Sequence, residues 1–247
     1  MACALLSRQG PVQGLGYMDE AFDESHGAAV RAGGRFVVKI HPPQPVMLQL
    51  AAEGHARVIY TYRDIRDVIY SFAHKLLTEP SEILEHWSGP IMEGFRQWTA
   101  APRCLVIRYE DFCDDSPTDI RRLARFLDIP IHDAWLRLLD NEFDLEANRS
   151  RAQNKCQELL QQQLDLSDPQ HACRHAHGEL VHWNHIRSGA IGGWQYVATV
   201  EELEQLRDRF GPWLIEHAYE PDDQWVERLL AARQASSTAN RRWWRAA

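Results

Sequence analysis

The chain has 247 residues, 45% of them hydrophobic and 25% charged, which is ordinary for a folded α/β protein of one large or two small domains. Its 27 basic and 35 acidic residues leave a net charge of −8, which argues against general nucleic-acid affinity but leaves room for a small basic pocket that reads a polyanion locally. No run of 18 apolar residues offers a membrane span, no basic-then-apolar leader opens the chain, and five scattered cysteines read as reduced thiols, so a cytoplasmic setting is expected.

Three short runs, residues 35–40 ("RFVVKI"), 57–62 ("RVIYTY") and 104–109 ("CLVIRY"), are almost continuously apolar, as strands covered on both faces require. Helical patterns separate them. Val68, Phe72 and Leu76 recur every four residues. "SEILEHW" gives way at "SGP" to a second helix whose face is Ile91, Phe95 and Trp98. After the third strand, Ser116 is expected to cap a helix with Pro117 in its first turn, and Ile120, Leu123, Ala124 and Leu127 form its buried stripe. Residues 140–185 are polar and read as helix and irregular loop, and residues 200–218 regain a helical pattern. The expectation is one domain over 1–235, a three-layer α/β sandwich with a mostly parallel central sheet, followed by a disordered tail over 236–247.

Ligands of parallel sheets sit beyond the strand C-termini. Lys39, His41, Arg63 and Tyr109 all lie at or just past such ends. In "KIHPP", Lys39 and His41 are two apart, so an extended strand would point both the same way and set a general base beside a cation. A solvated strand end is the plainer reading. In "YRDIRDVIYS", Arg63 and Ser71 can grip a phosphate near a helix N-terminus; alternatively Arg63 and Arg66 pair with Asp64 and Asp67 on the surface. "HIRSGAIGGW" brings Arg187, Ser188 and Gly189 into a glycine-rich segment able to wrap an anion, although such loops also arise for conformational reasons alone. Cys173, His175 and His177 alternate within the His-rich stretch 171–185, but no second ligand pair of zinc-site spacing accompanies them, so no metal is expected.

In this order the motifs resemble the PAPS-dependent sulfotransferase family, whose fold is P-loop NTPase-like and whose co-substrate is 3′-phosphoadenosine 5′-phosphosulfate. "RVIYTYRDIRDVIYSFAHK" is similar to the family's 3′-phosphate segment, with its Arg and Ser eight apart, here Arg63 and Ser71. "VVKIHPP" is similar to the strand end that carries the catalytic base, here His41 with Lys39 beside the transferring group. "LVIRYEDF" places Tyr109 near the nucleotide, and "IRSGAIGGW" resembles the late loop that closes over the 3′-phosphate through Arg187, Ser188 and Gly189, with Ser where the family usually has Lys.

The resemblance implies sulfuryl transfer from PAPS to an acceptor hydroxyl or amine, without metal. The acceptor is expected to be a small molecule, glycan or lipid, held by loops over 10–34, 76–92 and 140–180. Nothing in the sequence matches the family's "PKSGTTW" loop, which cradles the 5′-phosphosulfate. The chain therefore reads as a shortened form, as one whose upstream residues are missing, or as one that no longer transfers sulfate. The alternative function is accordingly an impaired, truncated module that binds adenosine 3′,5′-bisphosphate or a partner. A nucleotide kinase is disfavoured by the lack of a G-x-x-x-x-G-K-[ST] loop.

Overall fold

The computed structural model describes residues 1–17, 22–168, 183, 184, 186 and 189–245. Two compact units divide the chain. The first comprises Met1–Arg63, Lys75–Leu77 and Gly89–Gly189, and the second Asp64–His74, Thr78–Ser88 and Ala190–Ala247.

All described strands belong to the first unit and all pair in parallel. β1 (Gln13–Tyr17) pairs with β2 (Phe36–Lys39), and β3 (Val58–Tyr62) pairs with β4 (Cys104–Arg108). Each pair is closed by a helical crossover, as parallel neighbours demand. α2 (Glu24–Arg31) lies between β1 and β2 in sequence, and α4 (Ile65–Leu76), α5 (Pro80–His86) and α6 (Ser88–Thr99) lie between β3 and β4. The architecture is α/β with parallel strands, and the described strands form two pairs rather than one continuous ladder.

The three expected strands are present to within a residue at each end, but β1 was not expected. "QGLGY" carries two glycines and no alternation. Its register shifts between Gly14 and Gly16, and Gly16 takes φ +75°, which a residue with a side chain rarely adopts. A bulged strand of this kind leaves no period-2 signal.

The core of the first unit gathers on β3 and β4. α8 (Ser116–Phe126) and α9 (Asp133–Glu142) contribute Ile120, Leu123, Ala124, Trp135, Leu136 and Leu139, and partly buried Ile59 and Leu105 from the strands pack against them. Leu5 of α1 (Ala2–Leu6) is fully enclosed in the same cluster. The N-cap of α8 is Asp115, whose carboxylate accepts from Thr118 N–H; Ser116, expected there, instead donates its hydroxyl to Asp140. A carboxylate also suits the positive end of the helix dipole, so Asp115 is the stronger cap at that position. α3 (Pro45–Ala52), α7 (Tyr109–Asp114) and α10 (Leu145–Gln161) complete the unit's helices longer than four residues among the described residues.

The second unit is helical. α4 turns Ile65, Ile69, Tyr70 and Ala73 inward, α5 adds Ile83 and Leu84, and α11 (Val200–Glu216) adds Leu203, Leu206, Phe210 and Leu214. α11 starts at a capping box in which Thr199 and Glu202 satisfy each other's backbone N–H groups. α12 (Trp225–Arg245) begins with buried Trp225 and Val226 and runs through the segment expected to be a tail.

Among the described residues no helix is long and apolar enough to cross a membrane, and no group of three or more His, Cys, Asp or Glu could hold a metal. The His and Cys side chains of the 171–185 stretch lie outside the described residues.

Candidate active site at the parallel strand ends

β3 and β4 pair in register from Val58 opposite Cys104 to Tyr62 opposite Arg108. The next residues, Arg63 and Tyr109, therefore leave the ladder side by side. The Arg63 guanidinium lies over the Tyr109 ring, 4.6 Å from its centroid. Tyr109 also donates its hydroxyl to the Gly189 carbonyl oxygen at 3.2 Å. The phenol is pushed up to about 12, first by burial and then by the hydrogen-bonded Cys113 side chain, while Arg63 pulls the other way. It therefore stays a neutral donor at physiological pH.

Gly189 sits at φ +65°, the left-handed region. A Cβ there would meet Leu145 Cδ1 at 2.6 Å, so both backbone and packing favour glycine. Three of the expected site residues, Arg63, Tyr109 and Gly189, are thus joined directly within the first unit.

Lys39 and His41 lie at the end of β2. Lys39 is its last residue and is half-buried; His41 follows in a bend and is exposed. The strand ends before His41, so the period-2 argument that pointed both side chains one way does not extend to it. His41 is held through its backbone instead: its carbonyl accepts from Trp98 Nε1 at 2.9 Å. Trp98 is buried on α6. One turn earlier on the same helix, Phe95 meets the rings of Tyr60 and Tyr62 edge-on at 5.7 Å each. Residues three apart share a helix face. The exits of β2 and β3 accordingly rest on one face of α6.

Ser71 lies in α4, within the second unit. Arg187 and Ser188 lie outside the described residues. Of the loops expected to build the acceptor site, 10–34 contains β1 and α2, 76–92 contains α5, and 140–180 contains α10.

Asp64, Arg66 and Asp67 stood, in one reading of the sequence, paired on the surface. All three are at most 5% exposed, and they organise the second unit. Arg66 donates to the Asp64 carboxylate at 2.8 Å and to Glu220, and packs against Trp194 at 4.0 Å and Trp225 at 4.7 Å. Asp67 accepts from the backbone N–H groups of Gly192 at 2.8 Å and Trp194 at 3.3 Å. Part of "IGGW" is therefore a structural latch. The local clue was the fully apolar company of Arg66 and Asp67 on α4, between Ile65, Ile69 and Tyr70. No local clue names Glu220, 154 residues away.

The strand pairing places the chain among α/β proteins with parallel strands. The sulfotransferase domain family matches residues 20–218, and the chain belongs to that family. The amine sulfotransferase of Oryctolagus cuniculus is 23% identical over 183 residues, covering 67% of this chain and 57% of its own length. The chain thus spans little more than half of that relative. The fold is similar to that of mouse sulfotransferase SULT7A1 complexed with PAP, with a TM-score of 0.61 at 15% identity, over 86% of this chain and 79% of the other. It is also similar to retinol dehydratase in a complex with retinol and PAP, with a TM-score of 0.50 at 20% identity, over 73% of this chain and 53% of the other.

Proposed function

We propose that the chain moves a sulfuryl group from 3′-phosphoadenosine 5′-phosphosulfate to the hydroxyl, or the amine, of an acceptor. The observation that carries this reading is the joining of Arg63, Tyr109 and Gly189 beyond the ends of two neighbouring parallel strands. A half-buried guanidinium and a left-handed glycine, both held by one tyrosine, suit a phosphate monoester, which needs a fork of N–H donors and close backbone approach. Lys39 and His41 belong to the same unit, at the end of β2. Ser71 joins the nucleotide set on its eight-residue spacing from Arg63, and Arg187 and Ser188 join it on their place beside Gly189 in the sequence.

In the reaction, the acceptor oxygen attacks sulfur in line and forms the new O–S bond as the bond from sulfur to the nucleotide phosphate oxygen breaks. The bisphosphate departs with the bonding pair. His41 takes the acceptor's proton, and Lys39 offsets the negative charge on the sulfuryl oxygens. Arg63, Ser71 and Arg187 hold the nucleotide so that sulfur lies within reach of the acceptor. The acceptor class is a small molecule, glycan or lipid, and the setting is cytoplasmic. This reading assigns no residue to the 5′-phosphosulfate.

The test is calorimetry with adenosine 3′,5′-bisphosphate alongside a sulfate-transfer assay. Arg63→Ala should weaken the bisphosphate far more than adenosine 5′-monophosphate. Equal weakening of both removes the 3′-phosphate role, and binding without turnover reduces the chain to a nucleotide-binding module.

A further inference from the structure

We propose that Trp98 of α6 is a positioning residue for His41: it holds the exit of β2 by the backbone and so fixes where the imidazole stands. The proposal rests on the reading of His41 as the base that takes the acceptor's proton. Trp98 is 5% exposed and belongs to the same unit as His41. Its indole Nε1–H donates to the His41 carbonyl oxygen at 2.9 Å.

The sequence around His41 makes that carbonyl a handle. β2 ends at Lys39, and its ladder with β1 ends there too. The two residues after His41 are Pro42 and Pro43, which have no N–H to donate, so at those positions the exit can be anchored only through carbonyls and side chains. Pro42 also disfavours helical backbone at His41. With that torsion narrowed and the planar peptide between residues 41 and 42 held by Trp98, the Cα–Cβ bond of His41 has little freedom left.

α6 is shaped for the contact. Gly94 stands one turn before Trp98 on the same face, in the interior of a helix where alanine would be the more stable choice. A Cβ at Gly94 would lie 3.7 Å from the His41 carbonyl oxygen and 3.9 Å from Pro43 Cδ. The helix backbone thus comes up to the exit of β2, and the bare glycine leaves room for it. Phe95, next in the chain, meets Tyr60 and Tyr62 edge-on and seats the same helix against β3. A general base acts by position, and a displacement of about 1 Å can cost about 10²-fold in rate.

Three measurements on the full chain test this. Single-turnover sulfate transfer from 3′-phosphoadenosine 5′-phosphosulfate is followed with 2-naphthol and with aniline as acceptors. Bisphosphate affinity is measured by calorimetry. The His41 imidazole is followed by NMR of the nucleotide-free chain, its signal assigned by its loss in His41→Ala. Trp98→Phe keeps a ring in the core and removes the N–H. It should slow transfer by about fivefold to a hundredfold, from the value of one neutral hydrogen bond up to that of the displaced base. It should leave bisphosphate affinity nearly unchanged and broaden or double the His41 signal. Gly94→Leu keeps the indole but crowds the same carbonyl, and should act alike; Gly94→Ala adds a carbon at ordinary contact distance and should not. In a His41→Ala background, Trp98→Phe should slow the residual rate no further, whereas a loosened fold would slow it by the same factor again. The proposal is overturned if Trp98→Phe leaves the His41 signal single and sharp, if bisphosphate affinity falls in step with the rate, or if the loss of rate persists undiminished without the imidazole. If His41→Ala transfers as fast as the parent, the base reading itself fails and takes the proposal with it; a slow His41→Ala beside an unaltered Trp98→Phe removes only the positioning role. Where neither acceptor is used, the NMR signal decides: doubling in Trp98→Phe supports the positioning role, and a sharp single signal overturns it.

Discussion

Arg63 and Arg66 leave the same charged joint three residues apart, and they are solvated very differently. Arg63, at the end of β3 in the first unit, is half-buried with one face on Tyr109. Arg66, in the first turn of α4 in the second unit, is 2% exposed, packed against two tryptophans and bonded by Asp64 and Glu220. A guanidinium enclosed by two carboxylates and two indoles has its charge matched within the protein and holds structure together. Arg63, half-buried at a strand end, lies over a single ring instead. Side-chain type alone does not fix a residue's surroundings; the partners brought by packing and the depth of burial do.

The comparison makes substitutions in the two regions fail in different assays. The largest effect is expected at His41. It is exposed, and its hydrogen bond from Trp98 of α6 is accepted by its backbone carbonyl, so His41→Ala should lower turnover by about 10²–10⁴-fold and leave the unfolding midpoint and bisphosphate affinity nearly unchanged. Parallel loss of turnover and binding would sink the base role.

Arg66 should behave in the opposite way. Arg66→Met leaves the Asp64 and Glu220 carboxylates without their shared cation in a buried setting, at a cost of about 3–5 kcal/mol by urea denaturation. An unchanged midpoint would mean that the cluster is not structural. Next in size is Asp67→Asn. An amide presents one acceptor oxygen where the carboxylate serves two backbone N–H groups, so about 2 kcal/mol should be lost, again in stability.

The smallest effect sharpens the Tyr109 side of the comparison. Its pKa in the fold, about 12, stands above the reference near 10. Folding thus favours the protonated phenol. That contribution is complete below pH 10 and declines as pH rises through about 12. A spectrophotometric titration comparing the parent with Tyr109→Phe should show the missing phenolate appearing near pH 12. Its appearance near pH 10 would mean that the ring is not held as described. Tyr60, pushed to about 12 by burial, should titrate in the same range in both proteins.

How much of this was legible in advance varies by element. β2, β3 and β4 announced themselves through apolar, β-branched runs, and α8 and α11 through apolar residues at helical spacing, because burial of one face imposes a period on the chain. β1 stayed hidden because its glycines break that period at a bulge. The strand-end residues were identifiable because a parallel sheet makes its strand C-termini the place for ligands. The orientation assumed for Lys39 and His41 was not, since a strand's period ends with the strand and nothing in "KIHPP" marks Lys39 as the last residue to keep it.

By itself, then, the sequence determined where the strands and amphipathic helices form and which charged side chains stand at their ends, since those depend on neighbours within a few residues. The tertiary structure alone decided which of those charges is matched within the protein. Arg66 meets Glu220 across 154 residues, and Tyr109 reaches Gly189 across 80. Solvation is set by everything that packs around a group, and local spacing carries no record of partners brought together only when the chain closes on itself.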